Sequence, residues 1–244
     1  MLTGINQLRS YGISCLDGHL GMVEDFYLED ASWIIRYVVV DTGGWLVGRQ
    51  VLISPASVRR LDHVAMSLEV SLTKQQIEQS PGVDAHLTLS RAHEMSLAEY
   101  FDWPRYWDRP IFAELNPATR VEHGQPATAP VTSAQSCLRS VRDIIGYHIQ
   151  ASDGKIGHID DFVVRDEDWM VRYLVADTRN WLPGRRVLVA PHWVKQIDWT
   201  QKLLWVDMPK SAIAQAPPYN PRAFRRTDYE QELAEVYSKM DYRL

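Results

Sequence analysis

Residues 36–55 read RYVVVDTGGWLVGRQVLISP, and residues 172–191 return the stretch as RYLVADTRNWLPGRRVLVAP. Working outward, the matched pairs keep one spacing, 153 minus 17 giving 136 for Asp17 and Asp153. The same offset joins Gly18 to Gly154, Phe26 to Phe162, Trp33 to Trp169, Tyr37 to Tyr173, Pro55 to Pro191 and Pro81 to Pro217, without a gap. The chain therefore carries two copies of one sequence unit. A stacked solenoid needs at least about three repeats to bury a core, so each copy is read as a small domain.

Within a copy the pattern is that of short strands. Residues 34–40 and 51–53 are rich in β-branched and aromatic side chains and are bounded by turn formers. They read as strands, expected to pair antiparallel. Asp17-Gly18 and Asp153-Gly154 place a tight hairpin, and Asp41-Thr42-Gly43-Gly44 supplies the next turn, with Gly44 and Asn180 suited to positive φ. Thr73-Lys74-Gln75-Gln76 predicts a capping box opening a short helix that ends near Ser80-Pro81. Pro209 stands at the matching position of the second copy.

These residues carry a resemblance. DGHLGMVEDF followed by RYVVVDTGGWLVGRQVLISP, and DGKIGHIDDF followed by RYLVADTRNWLPGRRVLVAP, resemble the PRC-barrel family. That module occurs in the cytoplasmic part of the photosynthetic reaction-centre H subunit and in the C-terminal domain of the ribosome maturation factor RimM. The resemblance spans about two thirds of the chain. It implies a compact β-barrel used for docking and brings no shared catalytic residue.

The expected class is α+β and mainly β: two small PRC-barrel-like barrels, each followed by a short terminal helix. Residues 1–107 form the first domain with its helix, 108–138 a polar Pro/Ala/Thr linker, and 139–244 the second domain with its helix. Leu97-Ala98-Glu99 and Leu233-Ala234-Glu235 are identical and mark the helices, with Thr227 and Glu230 proposing a second capping box. A helix kept in both copies needs an apolar surface to cover.

Hydrophobic content of 45% and charged content of 23% fit a globular chain and argue against global disorder. The apolar runs fall short of the roughly 20 residues of a spanning helix, and MLTGINQLRS lacks a signal core, so no membrane insertion and a cytoplasmic location are expected. Cys15 matches Ala151 and Cys137 precedes the second copy, which rules out a repeated disulfide. A net charge of −5 makes nucleic acid an unlikely partner, because counterion release needs a basic face.

Asp25, Arg36, Asp41, Trp45 and Arg49 recur as Asp161, Arg172, Asp177, Trp181 and Arg185, and are read as framework. Arg36 with Asp41 and Arg172 with Asp177 are expected to form ion pairs. Trp103 and Trp107 in the first copy and Trp193 and Trp199 in the second have no such counterparts, so they, with Tyr106 between the first two, are the candidate interface. The histidines show no helical or knuckle spacing, and no Gly-x-Ser-x-Gly, Walker A or Gly-x-Gly-x-x-Gly occurs. No catalytic, metal or cofactor residue is therefore expected. The expected function is a non-catalytic adaptor or scaffold binding another protein, with homo-oligomer formation allowed for. An RNA-processing or ribosome-assembly factor is the alternative, and an enzyme with a site between the barrels comes third.

Overall fold

A computed structural model describes residues 1–46, 49–84, 89–108, 138–178, 185–226 and 228–241, with Arg49, Val83, Asp84 and Asp241 described by backbone alone. The expected linker, apart from residues 108 and 138, lies outside these residues, as do Trp181, Asn180 and Thr227.

The first copy runs β1 (Leu2–Gly4), α1 (Ile5–Leu8), β2 (Gly12–Cys15), β3 (Gly18–Glu29), β4 (Ile34–Asp41), β5 (Arg49–Ile53), β6 (Val58–Asp62), β7 (Ser67–Val70), α2 (Lys74–Gln79), β8 (Val83–Asp84) and α3 (Arg91–Phe101). The second runs β9 (Leu138–Ser140), α4 (Val141–Ile144), β10 (His148–Ala151), β11 (Gly154–Arg165), β12 (Val171–Asp177), β13 (Arg186–Val189), β14 (Val194–Asp198), β15 (Leu203–Val206), α5 (Lys210–Ile213) and α6 (Tyr229–Asp241). The architecture is mainly β with a few short helices.

One sheet follows the order β6-β7-β2-β3-β4-β5-β8, and the other follows β13-β12-β11-β10-β15-β14 with β1 added on β11. Most pairings are antiparallel, as expected. β2 with β7 and β10 with β15 run parallel.

Among the described residues the sheets do not close into barrels. Closure would bring the last strand of the path onto the free edge of β5 or β13, and in both copies another segment occupies that edge. β8 pairs with β5 through Arg49 opposite Asp84 and Gln50 opposite Val83. Residues 217–219 do the same for β13: Leu188 N–H donates to Pro217 O at 3.0 Å and Tyr219 N–H to Arg186 O at 2.8 Å. These pairings occupy part of the edge that closure would need.

Both hairpins form, with the turn one residue earlier than the Asp-Gly pairs. Leu16-Asp17 make the turn, Gly18 pairs with Cys15, and Gly18 and Gly154 hold φ of 131° and 141°. Asp17 Oδ1 accepts from Lys74 N–H at 2.9 Å and Asp153 Oδ1 from Lys210 N–H at 2.8 Å, so each hairpin also holds the start of the following helix. Thr73 caps α2 in a full capping box. Pro209 stands before α5 without a side-chain cap.

The compact units do not follow the contiguous division at 107 and 139. One unit comprises residues 11–32 and 36–138, and the other residues 1–10, 33–35 and 139–244. In the second unit β1 pairs with β11, Leu2 opposite Arg165 and Gly4 opposite Val163. Ile35 N–H donates to Trp169 O and Val171 N–H to Trp33 O, at 2.9 and 2.7 Å. The reason lies in side-chain burial: Leu2, Ile5 and Leu8 are at most 4% exposed in this position, which gives the segment a core to enter.

Candidate docking surface

The helices α3 and α6 settle where the unmatched tryptophans go. Leu97 on α3 and Leu233 on α6 are each 2% exposed and seat the helix on its sheet. In the first copy the chain leaves α3 through Asp102, whose φ of 55° turns it back toward the sheet. Trp103 is thereby buried, its Nε1 donating to Ser57 Oγ at 2.6 Å and its ring stacked on Phe101 at 4.4 Å. Trp193 is buried too, 5.1 Å from the ring of Tyr237. Both are core, which corrects their assignment to an interface.

Tyr106 and Trp107 are half-buried and held by arginines. Arg36 lies over the Tyr106 ring at 4.1 Å and Arg91 over Trp107 at 4.6 Å. Tyr106 also donates its hydroxyl to the fully buried Glu94, which Arg91 meets at 3.1 Å and Tyr37 at 3.4 Å. Burial, followed by the Glu94 charge, pushes the Tyr37 and Tyr106 phenols well above their ordinary range, so both remain donors. Trp199 is half-buried under Arg139, which stands 4.4 Å above its ring.

The framework ion pairs differ from expectation. Arg36 bonds Glu29, with Nε at 3.0 Å from the carboxylate. Arg172 bonds Asp168 at 2.6 Å and reaches Glu230 at 3.9 Å. Asp41 instead accepts from Gly43 N–H at 2.8 Å and closes its own turn. Five residues along a strand place Arg36 and Asp41 on opposite faces, which excludes the expected pair. Arg185 turns outward, its guanidinium 3.5 Å from Ala214 O. Trp45 is 40% exposed, while the Arg49 side chain lies outside the described set.

Asp25 and Asp161 are buried. Asp161 accepts from the backbone N–H groups of Asn6 at 3.0 Å and Phe162 at 2.8 Å, with Tyr219 Oη at 3.5 Å. Burial outweighs these bonds and raises its carboxyl to about 6.

A different surface exposes apolar side chains beside Gly12, with the exposed His19 imidazole 3.5 Å from where a Gly12 Cβ would stand. Met22 on β3 lies opposite Gly12 on β2, and Gly12 N–H donates to Met66 O at 3.0 Å. Three neighbouring backbones thus bring Met22 and Met66 to either side of a residue without a side chain. Met22 Sδ lies 3.9 Å from where a Gly12 Cβ would stand. Met22 is 43% exposed, Met66 42% and Val64, at the tip of the β6-β7 hairpin, 97%. The matching residues of the second copy are His158, Lys202 and Thr200, with His148 in place of Gly12. Met66 and Lys202 share one backbone geometry, φ 51° and 54°. The fold therefore accepts polar side chains at these positions. Sequence comparison could have found the surface, because the methionines fail to recur while their surroundings do.

Among the described residues no helix is long and apolar enough to cross a membrane. No curated protein matches the chain. Residues 138–211, from β9 into α5, match the model of the PRC-barrel domain.

Proposed function

We propose that the chain is a non-catalytic adaptor of two PRC-barrel-type modules, whose first module docks a protein partner on the surface around Met22, Val64 and Met66. The observation that carries this reading is the contrast between the copies: one backbone arrangement bears thioethers and an exposed valine in the first copy and His158, Thr200 and Lys202 in the second. Single exposed apolar residues are ordinary, but Met22 on β3 together with Val64 and Met66 in the β6-β7 turn, at positions where the fold tolerates polar ones, form a surface with a use. Methionine suits such a surface, since its flexible, polarisable side chain adapts to a partner. The one-for-one correspondence of β2 to β7 with β10 to β15 supports extending the family assignment to the first copy.

The test exchanges residues between copies, with Met22→His, Val64→Thr and Met66→Lys combined in the full chain. Affinity capture with nuclease treatment is expected to retain a protein on the natural chain and lose it on the variant, with circular dichroism unchanged. Equal capture by both chains refutes the surface. Loss of all capture on nuclease treatment refutes the protein partner and favours RNA.

A further inference from the structure

We propose that His158, Asp160 and Asp177 form a divalent-cation site in the second module, suited to zinc. The three residues are spread over twenty positions and gain their proximity only from strand register. His148 on β10 pairs with His158 on β11, His158 with Asp177 on β12, and Asp177 with Arg186 on β13. Directly opposed residues of adjacent strands project to one face, so the four side chains form a row. Asp160 joins them because it lies two residues beyond His158, at a bulge between Ile159 and Asp161.

The backbones of β11 and β12 come unusually close beside this row. A Cβ on Gly157 would lie 1.8 Å from Asp177 O, so only glycine fits next to His158. That approach brings His158 Nε2 to 4.0 Å from Asp177 Oδ2, and one donor atom from each of the three residues lies within 4.8 Å of the others. Donors around a tetrahedral zinc ion lie about 3.3 Å apart, given bonds of about 2.0–2.1 Å. Rotation of the half-exposed His158 and Asp160 covers the difference, while Asp177, 2% exposed, is the fixed point.

One imidazole and two carboxylates are a donor set for a borderline cation such as zinc. One competing occupant is Arg186, whose Nε lies 3.3 Å from Asp160 Oδ2. Its side chain is 44% exposed and is free to swing into solvent as the ion enters. The first copy serves as an internal control. Its matching residues are Met22, Glu24, Asp41 and, for Arg186, Gln50, a set that lacks the imidazole. The site would tie β11 to β12 and belongs to the second module alone.

The experiment is calorimetric titration of the untagged, chelator-stripped full chain with zinc chloride. One equivalent is expected to bind saturably. His158→Met installs the side chain that the first copy accepts at this position, and is expected to abolish the equivalent with circular dichroism unchanged. Arg186→Gln, also a first-copy residue, is expected to tighten binding by removing that competitor. Absence of saturable binding to the natural chain, an unchanged equivalent in His158→Met, or loss of binding in Arg186→Gln would each overturn the proposal.

Discussion

The two copies seat the same helix with the same aromatic position but draw the partner from opposite sides of the helix in sequence, after it in the first copy and before it in the second. Phe101 at the end of α3 stacks on Trp103, which follows the helix, and the indole bonds Ser57 on the sheet. At the matching position on α6, Tyr237 packs on Trp193, which stands where the first copy has Ser57, while Lys239 replaces Trp103. One indole fills each seat. The difference teaches that a core position belongs to a volume rather than to a sequence site, so an unmatched residue can still be core.

The strongest test of that equivalence removes the indoles. Trp103→Ala is expected to destabilise the unit containing α3, and Trp193→Ala the unit containing α6, each by about 3–5 kcal/mol. Native-state hydrogen exchange at β4 and β12 amides would assign each loss to its unit. A change below 1 kcal/mol in either would break the comparison.

The polar anchors are unequal, and Glu94→Ala against Glu230→Ala measures by how much. Glu94 is fully buried among Arg91, Tyr37 and Tyr106, so its loss is expected to cost about 3 kcal/mol. Glu230 is 34% exposed beside Arg165 and Arg172, and its loss is expected to cost below about 1 kcal/mol. Urea unfolding of both variants gives the contrast, and equal costs would reject it.

Asp161 gives its unit a pH signature. A carboxyl raised from 3.8 to about 6 binds its proton more tightly when folded. Its favourable contribution is complete below about pH 4 and is lost as pH rises through about 6, by up to roughly 3 kcal/mol. Asp161→Asn is expected to flatten that part of the stability profile of the second unit, measured as the difference between variant and natural chain. A profile of unchanged slope would refute the assignment.

The smallest effect concerns the caps. Thr73→Ala removes the capping box of α2 and is expected to cost about 1 kcal/mol. Pro209→Ala, where no side chain caps α5, is expected to stay within about 0.5 kcal/mol. Thermal unfolding of the two variants orders them.

The 136-residue offset, the hairpins at Gly18 and Gly154 and the Thr73 cap were legible because each is a local demand on the backbone. The placement of residues 1–10 was not. Leu2, Ile5 and Leu8 match Leu138, Val141 and Ile144, and two equivalent segments facing two equivalent sheets give no local signal of which joins which. Unclosed sheets were equally hidden, since edge coverage by residues 217–219 depends on long-range hydrogen bonds. Of the surfaces, Met22 and Met66 could be found by subtracting one copy from the other. The row of His158 and Asp177 required the register.

The lodging of residues 1–10 on β11 sets an order of events during synthesis. Residues 1–10 are made before their place exists, because that place needs the strands beyond residue 139. Their apolar side chains wait in water through most of translation, and folding ends with a contact of very long sequence separation, the slow kind. Once β11 is made, its edge at residues 163–165 can take the same segment from a neighbouring chain instead. Crowded polysomes would therefore yield strand-exchanged pairs, whereas dilute refolding would return each segment to its own chain.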